Sequence, residues 1–230
     1  MAMSPTDDYV EQVQFNLGRI HDRIHNAGGN PEAVTIVAVT KEQPADAVDA
    51  ALALGLFQLG ENRADALVDR AASHAVPDAR WHYLGQVQRN KVRRVAPFVA
   101  LWQSVDRAEV GASIARHAPN AEVLVQVNLT DDPHRGGAAV SAVPALVRDL
   151  HQDGLRVRGL MAVGPQGGAD AARPGFHAVV AQADALGLPI RSLGMSDDLE
   201  VAIACGSTMV RVGAALFGAR PQSTRPRHLN

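Results

Sequence analysis

The sequence is poor in the residues that cross-link a fold or bind a structural zinc ion. Cys205 is the only cysteine among 230 residues, which excludes an internal disulfide framework and any cysteine-based zinc cluster. Aromatic residues make up only 4% of the chain, so a core must be built from Ala, Val, Leu and Ile. The apolar fraction of 47% and the charged fraction of 20% are nevertheless typical of a globular protein.

Neither the net charge nor the hydrophobic runs indicate a membrane or a nucleic acid as partner. The formal net charge is −2, which offers no electrostatic attraction to nucleic acid or anionic lipid. No run approaches the roughly 18 apolar residues of a membrane span. The first ten residues, MAMSPTDDYV, lack the basic and apolar parts of a signal peptide. We therefore expect a cytoplasmic protein. Because no exposed apolar helix face demands a partner, we also expect a monomer.

Eight short apolar runs alternate with longer amphipathic segments between residues 34 and 218. Nearly continuous hydrophobicity over so few residues is typical of strands that are buried on both faces. The predicted strands are residues 34–39, 56–59, 81–84, 99–105, 123–129, 157–163, 190–195 and 209–212.

The segments between these runs have the pattern of amphipathic helices, and Pro44 stands where proline suits a first helical turn. Gly55, Gly154 and Gly187 follow three of them, at the left-handed cap position. Strand–helix alternation implies parallel strands with right-handed crossovers, and eight units predict an α/β fold with a closed (β/α)8 TIM-type barrel. The predicted helices are residues 45–54, 62–70, 88–95, 107–117, 140–150, 175–186 and 197–204.

Residues 5–27 have the pattern of one more amphipathic helix, ahead of the first strand. We expect this extra N-terminal helix to cover the barrel wall. Residues 219–230 contain two prolines and polar residues and are expected to fray. With no Pro- or Ser-rich linker inside the barrel at 34–218, residues 1–230 are predicted to form a single domain.

The first candidate site residue is Lys41, two residues after the first strand. Active sites of such barrels lie at the C-terminal ends of the strands, and phosphate is commonly held after strands seven and eight. An amine that is partly desolvated in the barrel mouth is suited to Schiff-base chemistry. A surface lysine at a strand end is the competing interpretation.

Two polar motifs follow other strands and precede helices. Asn62, in the motif Gly60-Glu61-Asn62-Arg63, either caps the next helix or contacts a ligand. Ser196, after the seventh strand, either caps a helix or offers its hydroxyl to a phosphate. Both alternatives depend on N–H donors that are unpaired at the start of a helix.

Glycine-containing motifs flank the eighth strand, and an arginine lies inside it. Gly213 and Ala214 end the strand, where a glycine lets backbone N–H groups approach an anion; a tight turn is the alternative. Arg211, in the apolar run MVRVG, is costly to bury unless it is paired or bound to a ligand. It therefore either forms an ion pair with a core carboxylate or contacts a ligand.

The segments AVTKEQP, GENRADAL, WHYLGQVQRNK, VLVQVN, GLMAVGP and LGMSDDLEVAIACGSTMVRVGAALFG, in this order, resemble the pyridoxal-phosphate homeostasis protein family. The resemblance covers residues 10 to 218, almost the whole chain. That family shares its barrel with the N-terminal domain of alanine racemase. The resemblance implies a protein that binds pyridoxal 5′-phosphate (PLP) and acts in intracellular PLP homeostasis.

The resemblance also implies roles for single residues around the PLP ring. Lys41 would form a Schiff base with the pyridoxal aldehyde, and Arg211 would face the pyridine nitrogen. Asn62 and Met161 match positions that line the ring pocket. Because arginine stays protonated, it cannot stabilise a pyridinium as a carboxylate would, which makes the cofactor a poor electron sink.

For the PLP phosphate, the resemblance implies contacts from Ser196 and from the backbone of Gly213 and Ala214, with Thr208 close by. One segment departs from the family pattern. The Glu and Lys that usually follow the fifth strand have no clear counterpart in DDPHRGG, residues 131–137.

Three functions compete on this basis. The favoured one is a PLP-binding protein with little or no turnover, which supplies PLP-requiring apo-enzymes. The alternative is a PLP-dependent amino-acid racemase, but related racemases add a C-terminal domain with a catalytic tyrosine, whereas only residues 219–230 follow the barrel here. Tyr9 and Tyr83 are not placed as such a base. The third is a cofactor-free aldolase or lyase that uses Lys41 directly. No metal is expected.

Overall fold

Eight parallel strands close into a barrel in a computed structural model of the chain, which describes residues 7–130, 132 and 135–219. Each strand pairs with the next one along the chain, and the last pairs with the first, as the sequence predicted. The strands are β1 (Thr35–Val39), β2 (Gln58–Glu61), β3 (Arg80–Tyr83), β4 (Val99–Val105), β5 (Glu122–Val127), β6 (Arg156–Ala162), β7 (Ile190–Ser192) and β8 (Met209–Val212).

Helices connect the strands and cover the barrel from outside. None of those in the described part of the chain is long and apolar enough to cross a membrane. Short 3-10 turns at Val140–Ala142 and Ala169–Ala172 precede two of them. The helices are α1 (Asp7–Asn26), α2 (Ala47–Ala53), α3 (Ala64–Ser73), α4 (Arg89–Val95), α5 (Ala108–His117), α6 (Val143–Gln152), α7 (Arg173–Ala185), α8 (Leu199–Ala204) and α9 (Ala214–Phe217).

The TIM-type fold is therefore confirmed, and the differences concern the ends of elements. β7 stops at Ser192 rather than at residue 195, because Gly194 adopts a φ of 91° and interrupts the extended backbone. The Leu193 N–H and the Gly194 carbonyl still form hydrogen bonds with β8. We expected Pro44 in the first turn of a helix, but α2 begins three residues later, at Ala47. Gly154 does adopt the left-handed cap conformation, with a φ of 81°.

The interior of the barrel combines apolar and polar side chains. Alternate residues of a strand face the same side of a sheet, so Met209 and Arg211 both face the interior. The apolar members of the interior are Val37, Leu101, Leu124, Met161 and Met209, and the buried polar ones include His82, Gln103, Ser192 and Arg211. A larger apolar cluster fills the space between the strands and the outer helices.

The extra N-terminal helix α1 packs against α2, α8 and α9. Its residues Val13, Ile20 and Ile24 are buried along one face. Because α9 has only four residues, α1 supplies most of the cover where the last and first strands meet. Residues 5 and 6 of the predicted helix and the predicted frayed tail from residue 220 onward lie outside the described residues.

We expect Ile24→Ala to lower the free energy of unfolding by about 2–5 kcal/mol, because it leaves a cavity under a fully buried side chain. Phe15→Ala on the same helix is the matched control. Phe15 is 68% exposed, so that change should stay within about 0.5 kcal/mol of the unsubstituted protein. Urea unfolding measures both, and equal stabilities of the two variants would show that α1 does not pack as described.

Candidate functional site

A pocket of about 410 Å³ opens at the C-terminal ends of the strands. This volume lies within the range of roughly 300–1,000 Å³ that is usual for small-molecule sites. We call it the mouth pocket. Seven of the eight residues that the sequence analysis singled out for PLP line it, and these are Lys41, Asn62, Met161, Ser196, Arg211, Gly213 and Ala214.

A second depression, of about 510 Å³, is larger than the mouth pocket but lies outside the barrel between α4 and α5. Its lining is largely charged and polar, with Arg89, Glu109 and Arg116 among its residues, and contains no strand residue. Because barrel sites form at strand ends, we place the functional site in the mouth pocket despite its smaller volume. No group of three or more metal-binding side chains comes together within the described residues.

Thr208 is the eighth predicted residue, and its predicted position close to the phosphate is wrong. It precedes β8, whereas Gly213 follows that strand. Five residues of extended chain span roughly 16 Å, so Thr208 lies at the opposite end of the barrel. There its hydroxyl accepts a hydrogen bond from the Arg191 N–H at 2.9 Å and donates one to the Pro189 carbonyl at 3.4 Å. Thr208 is therefore a structural residue at the N-terminal end of the strands, away from the mouth pocket.

Lys41 lies in the wall of the mouth pocket and is half-buried, which argues against a plain surface lysine. The short turn that carries it is fixed at both ends. The Thr40 N–H donates to the Gly60 carbonyl at 2.9 Å, and the Gln43 N–H donates to the Thr40 carbonyl at 3.1 Å. Arg70 of α3 donates to the Gln43 carbonyl at 3.0 Å. The amine therefore stands on a braced turn.

The buried carboxylate of Glu61 connects this turn to the next strand end. One of its oxygens accepts the Asn62 N–H at 2.8 Å, and the other accepts the Thr40 hydroxyl at 3.4 Å. The guanidinium of Arg70 lies 3.6 Å from the second oxygen. Glu61 thus holds the backbone around Lys41 and Asn62 without lining the pocket itself. Sequence reasoning noted the motif but did not identify this bracing role.

Asn62 does not cap a helix, because α3 begins at Ala64 with Arg63 at the cap position. Its side chain lines the mouth pocket instead. The backbone of Asn62 presses closely on the loop after β3. A Cβ on Gly85 would lie 2.0 Å from the Asn62 carbonyl oxygen, so only glycine fits at that position.

Ser196 does not cap a helix either, because α8 begins three residues later at Leu199. Its hydroxyl accepts a hydrogen bond from the Ala215 N–H at 3.3 Å. The loop after β7 is thereby joined to the first turn of α9, which begins at Ala214 directly after β8. The two loops where phosphate is commonly held in such barrels are in contact through this bond.

Arg23 of α1 also holds the loop that carries Ser196. Its guanidinium donates to the Ser196 carbonyl at 2.8 Å and forms two hydrogen bonds to the Glu200 carboxylate, at 2.5 and 2.7 Å. These side-chain hydrogen bonds raise the pKa of Arg23 and lower the pKa of Glu200. The side chain of Arg23 therefore links the N-terminal helix to one wall of the mouth pocket.

Arg211 forms the floor of the mouth pocket and is buried. Its guanidinium donates to the Ser192 carbonyl and hydroxyl, both at 2.6 Å, and to the Ala162 carbonyl at 2.8 Å. Burial lowers its pKa to about 10, against the opposing charge of Asp198, so the group stays protonated at neutral pH. In the described part of the chain it forms no ion pair with a carboxylate, contrary to the structural alternative.

Below Arg211, polar side chains continue across the barrel interior. The Ser192 hydroxyl donates to the Gln103 side-chain oxygen at 2.7 Å. The Gln103 amide nitrogen lies 2.6 Å from His82 Nδ1, and His82 Nε2 lies 2.8 Å from the Gln58 side-chain oxygen. Sequence reasoning missed Gln103 and Ser192. The only available signal was a polar residue at an inward position of an apolar strand.

His82 is neutral in the folded protein, because burial lowers its pKa to about 3, with a further contribution from the charge of Arg80. In the unfolded chain its pKa is about 6.5. The stability that depends on a neutral His82 is therefore fully present above about pH 6.5 and is lost progressively as the pH falls from there toward 3.

We expect the unsubstituted protein to lose about 2 kcal/mol more of its unfolding free energy between pH 7 and pH 5 than the His82→Gln variant does. Urea unfolding at several pH values measures this difference. His177→Gln, at an exposed position on α7, is the control and should follow the unsubstituted protein. Parallel curves for the His82→Gln variant and the unsubstituted protein would contradict a buried neutral histidine.

The whole barrel matches known protein families. Residues 11–221 match the family model described as alanine racemase, N-terminal domain. The chain is 38% identical to the pyridoxal phosphate homeostasis protein of Pseudomonas aeruginosa, over 92% of this chain and 95% of that protein. It is 36% identical to the pyridoxal phosphate homeostasis protein of Escherichia coli, over 94% of this chain and 100% of that protein.

A solved structure agrees with these matches. The barrel superimposes on PipY of Synechococcus elongatus with PLP bound, with a TM-score of 0.76 and 31% sequence identity. The alignment covers 86% of this chain and 100% of PipY. By its sequence and by its fold, the chain belongs to the pyridoxal phosphate homeostasis protein family, which is built on the alanine racemase N-terminal barrel.

Proposed function

We propose that the chain binds PLP in the mouth pocket and serves intracellular PLP homeostasis, with little or no turnover of amino acids. One observation carries this proposal: a primary amine, a permanent cation and a loop junction suited to an anion surround one cavity of about 410 Å³. The PipY relative, whose structure contains PLP, supports it. As a supplier of PLP, the protein would act on PLP-requiring apo-enzymes in the cytoplasm, as a monomer.

The wall with Lys41 fits the aldehyde of PLP. When bound, PLP supplies an aldehyde that condenses with primary amines and a ring that withdraws electrons. Two basic residues line the mouth pocket, Lys41 in its wall and Arg211 at its floor, and of these Lys41 carries the primary amine. We therefore propose Lys41 as the point of covalent attachment, with Asn62 and Met161 against the ring.

The junction of the two loops fits the phosphate. Ser196 offers a hydroxyl, and the first turn of α9 offers backbone N–H groups that have no partner within the helix. Gly213 and Ala214 line the pocket at this point. Because Arg23 fixes the Ser196 carbonyl at 2.8 Å, this loop is held in place before an anion arrives.

The floor fits the ring nitrogen and disfavours turnover. A guanidinium only donates hydrogen bonds, and that of Arg211, with a pKa of about 10, holds its own proton at neutral pH. The ring nitrogen would thus accept a hydrogen bond without gaining a proton. An unprotonated ring withdraws electrons weakly, so carbanions at an amino acid would be poorly stabilised.

The racemase alternative needs a second base across from Lys41, and neither tyrosine supplies it. Tyr83 is buried against Trp102, with ring centroids 5.6 Å apart, outside the mouth pocket. Tyr9, on α1, donates to the Phe217 carbonyl at 3.4 Å. Both positions support a binding function over racemisation.

The first test is spectroscopic. The purified protein mixed with PLP should show a yellow absorption band that borohydride removes and fixes as a covalent adduct on Lys41 by mass spectrometry. Lys41→Ala should abolish the band and the adduct, because it removes the amine. A colourless protein that PLP cannot reconstitute would contradict the proposal and favour a cofactor-free lyase.

A second test measures PLP affinity in variants of the pocket. Ser196→Ala should weaken binding by about fivefold, and Arg211→Ala by about tenfold or more, as expected for lost hydrogen bonds to charged groups. Thr208→Ala, at the far end of the barrel, is the control and should bind like the unsubstituted protein. If Arg211→Ala does not fold, its role is structural rather than in the site.

A third test separates binding from catalysis. The PLP-loaded protein is incubated with a panel of L-amino acids, and chiral chromatography follows the D-enantiomers. We expect conversion far below the roughly 1–10³ s⁻¹ of typical enzymes. Turnover within that range would overturn the proposal in favour of a racemase.

A further inference from the structure

We propose that Ser192, Gln103 and His82 are positioning residues, which form a one-directional hydrogen-bond chain that fixes the guanidinium of Arg211 at the floor of the mouth pocket. The inference rests on the proposed function, because PLP is the ligand that Arg211 would meet. It adds residues that do not line the pocket themselves but fix the orientation of the Arg211 guanidinium at its floor.

The direction of the chain follows from its first member. A guanidinium can only donate, so the Ser192 hydroxyl oxygen accepts from Arg211 at 2.6 Å. The hydroxyl proton of Ser192 is then free for the Gln103 oxygen at 2.7 Å. With its oxygen used in this way, Gln103 presents its NH₂ group to His82 Nδ1 at 2.6 Å.

The chain ends on a single tautomer of His82. Because Nδ1 accepts from Gln103, the ring proton sits on Nε2 and is donated to the Gln58 oxygen at 2.8 Å. Burial keeps the ring neutral, with a pKa of about 3, so the tautomer does not change near neutral pH. Each link has one donor and one acceptor, and the order cannot be reversed while Arg211 is in place.

Burying polar side chains costs free energy unless each of them is hydrogen-bonded, so their presence in this interior needs an explanation. Ser192 and Gln103 are fully buried, and His82 is 1% exposed. Leu101, Leu124 and Met161 fill the same interior with apolar side chains, which shows that the space does not require polar groups. A buried polar network is stabilising only when every member has a hydrogen-bond partner. In this network the guanidinium of Arg211 supplies the first donor, and each following side chain bonds to the next.

The geometry explains how the chain positions Arg211. Ser192 receives two of the guanidinium hydrogen bonds, one through its carbonyl and one through its hydroxyl, and Ala162 receives a third. The hydroxyl in turn is held by a side chain on β4, across the barrel from β7. Without the hydroxyl, the guanidinium would pivot on carbonyl contacts alone. Its remaining donors, of the five that an arginine carries, would no longer have a fixed direction for a ligand.

The experiment compares Ser192→Ala with Ser207→Ala. Both changes remove one buried hydroxyl, but Ser207 donates to backbone carbonyls, those of Leu193 and Met209 among them, and does not contact Arg211. We expect Ser192→Ala to bind PLP about tenfold more weakly and Ser207→Ala to bind within twofold of the unsubstituted protein.

A second readout follows the chain itself. ¹⁵N NMR of histidine-labelled protein, with the signal of His82 assigned through the His82→Gln variant, should show the Nε2–H tautomer before any PLP is added. Adding PLP should shift the His82 nitrogen signals in the unsubstituted protein and in Ser207→Ala, because the charge at Arg211 is linked to the ring. In Ser192→Ala the shift should be absent even at saturating PLP.

The outcomes separate this inference from the proposed function. Equal PLP affinity in Ser192→Ala and in the unsubstituted protein, or a His82 shift that survives the substitution, would overturn the chain while leaving PLP binding intact. No PLP binding by the unsubstituted protein would overturn both, whereas the Nδ1–H tautomer in the free protein would overturn the chain alone. If Ser192→Ala does not fold by circular dichroism, Gln103→Met breaks the next link and carries the same comparisons.

Discussion

The site depends on a permanent charge placed inside an otherwise apolar barrel. Arg211 cannot lose its proton at neutral pH, so the surrounding strands must supply acceptors for it. They do so with the carbonyls of Ala162 and Ser192, at the ends of β6 and β7, and with one hydroxyl. β7 is only three residues long, and Ser192 is its last residue, as Ala162 is the last of β6. The floor of the mouth pocket is therefore set by where two strands stop.

Much of this architecture was readable in the sequence, because a parallel barrel imposes a simple pattern on it. Strands buried on both faces appear as short apolar runs, and a polar residue right after such a run falls at the mouth. Lys41, Asn62 and Ser196 were found by that rule alone. The position of Thr208 close to the phosphate was an expectation from the family resemblance instead, and it is wrong because Thr208 precedes β8 and lies at the other end of that strand.

The residues behind the pocket could not be read in this way. Ser192 and Gln103 are 89 residues apart and meet only because the barrel closes. Sequence patterns show that each faces inward but not which level of the barrel it occupies. The helix starts show a related limit. Asn62 and Ser196 have the chemistry of capping residues, yet α3 and α8 begin two and three residues after them, which leaves both side chains to the pocket.

The two ends of the mouth pocket are held by forces of different kinds. Arg211 is held by neutral dipoles away from water, and ionic strength has little effect on such contacts. The Ser196 loop is held in part by the pair of Arg23 with Glu200, whose side chains are 29% and 48% exposed. Exposed ion pairs weaken as salt screens them. Higher ionic strength therefore weakens one of the contacts that hold the Ser196 loop and leaves the contacts of Arg211 unchanged, so the two sides of the mouth pocket differ in their sensitivity to salt.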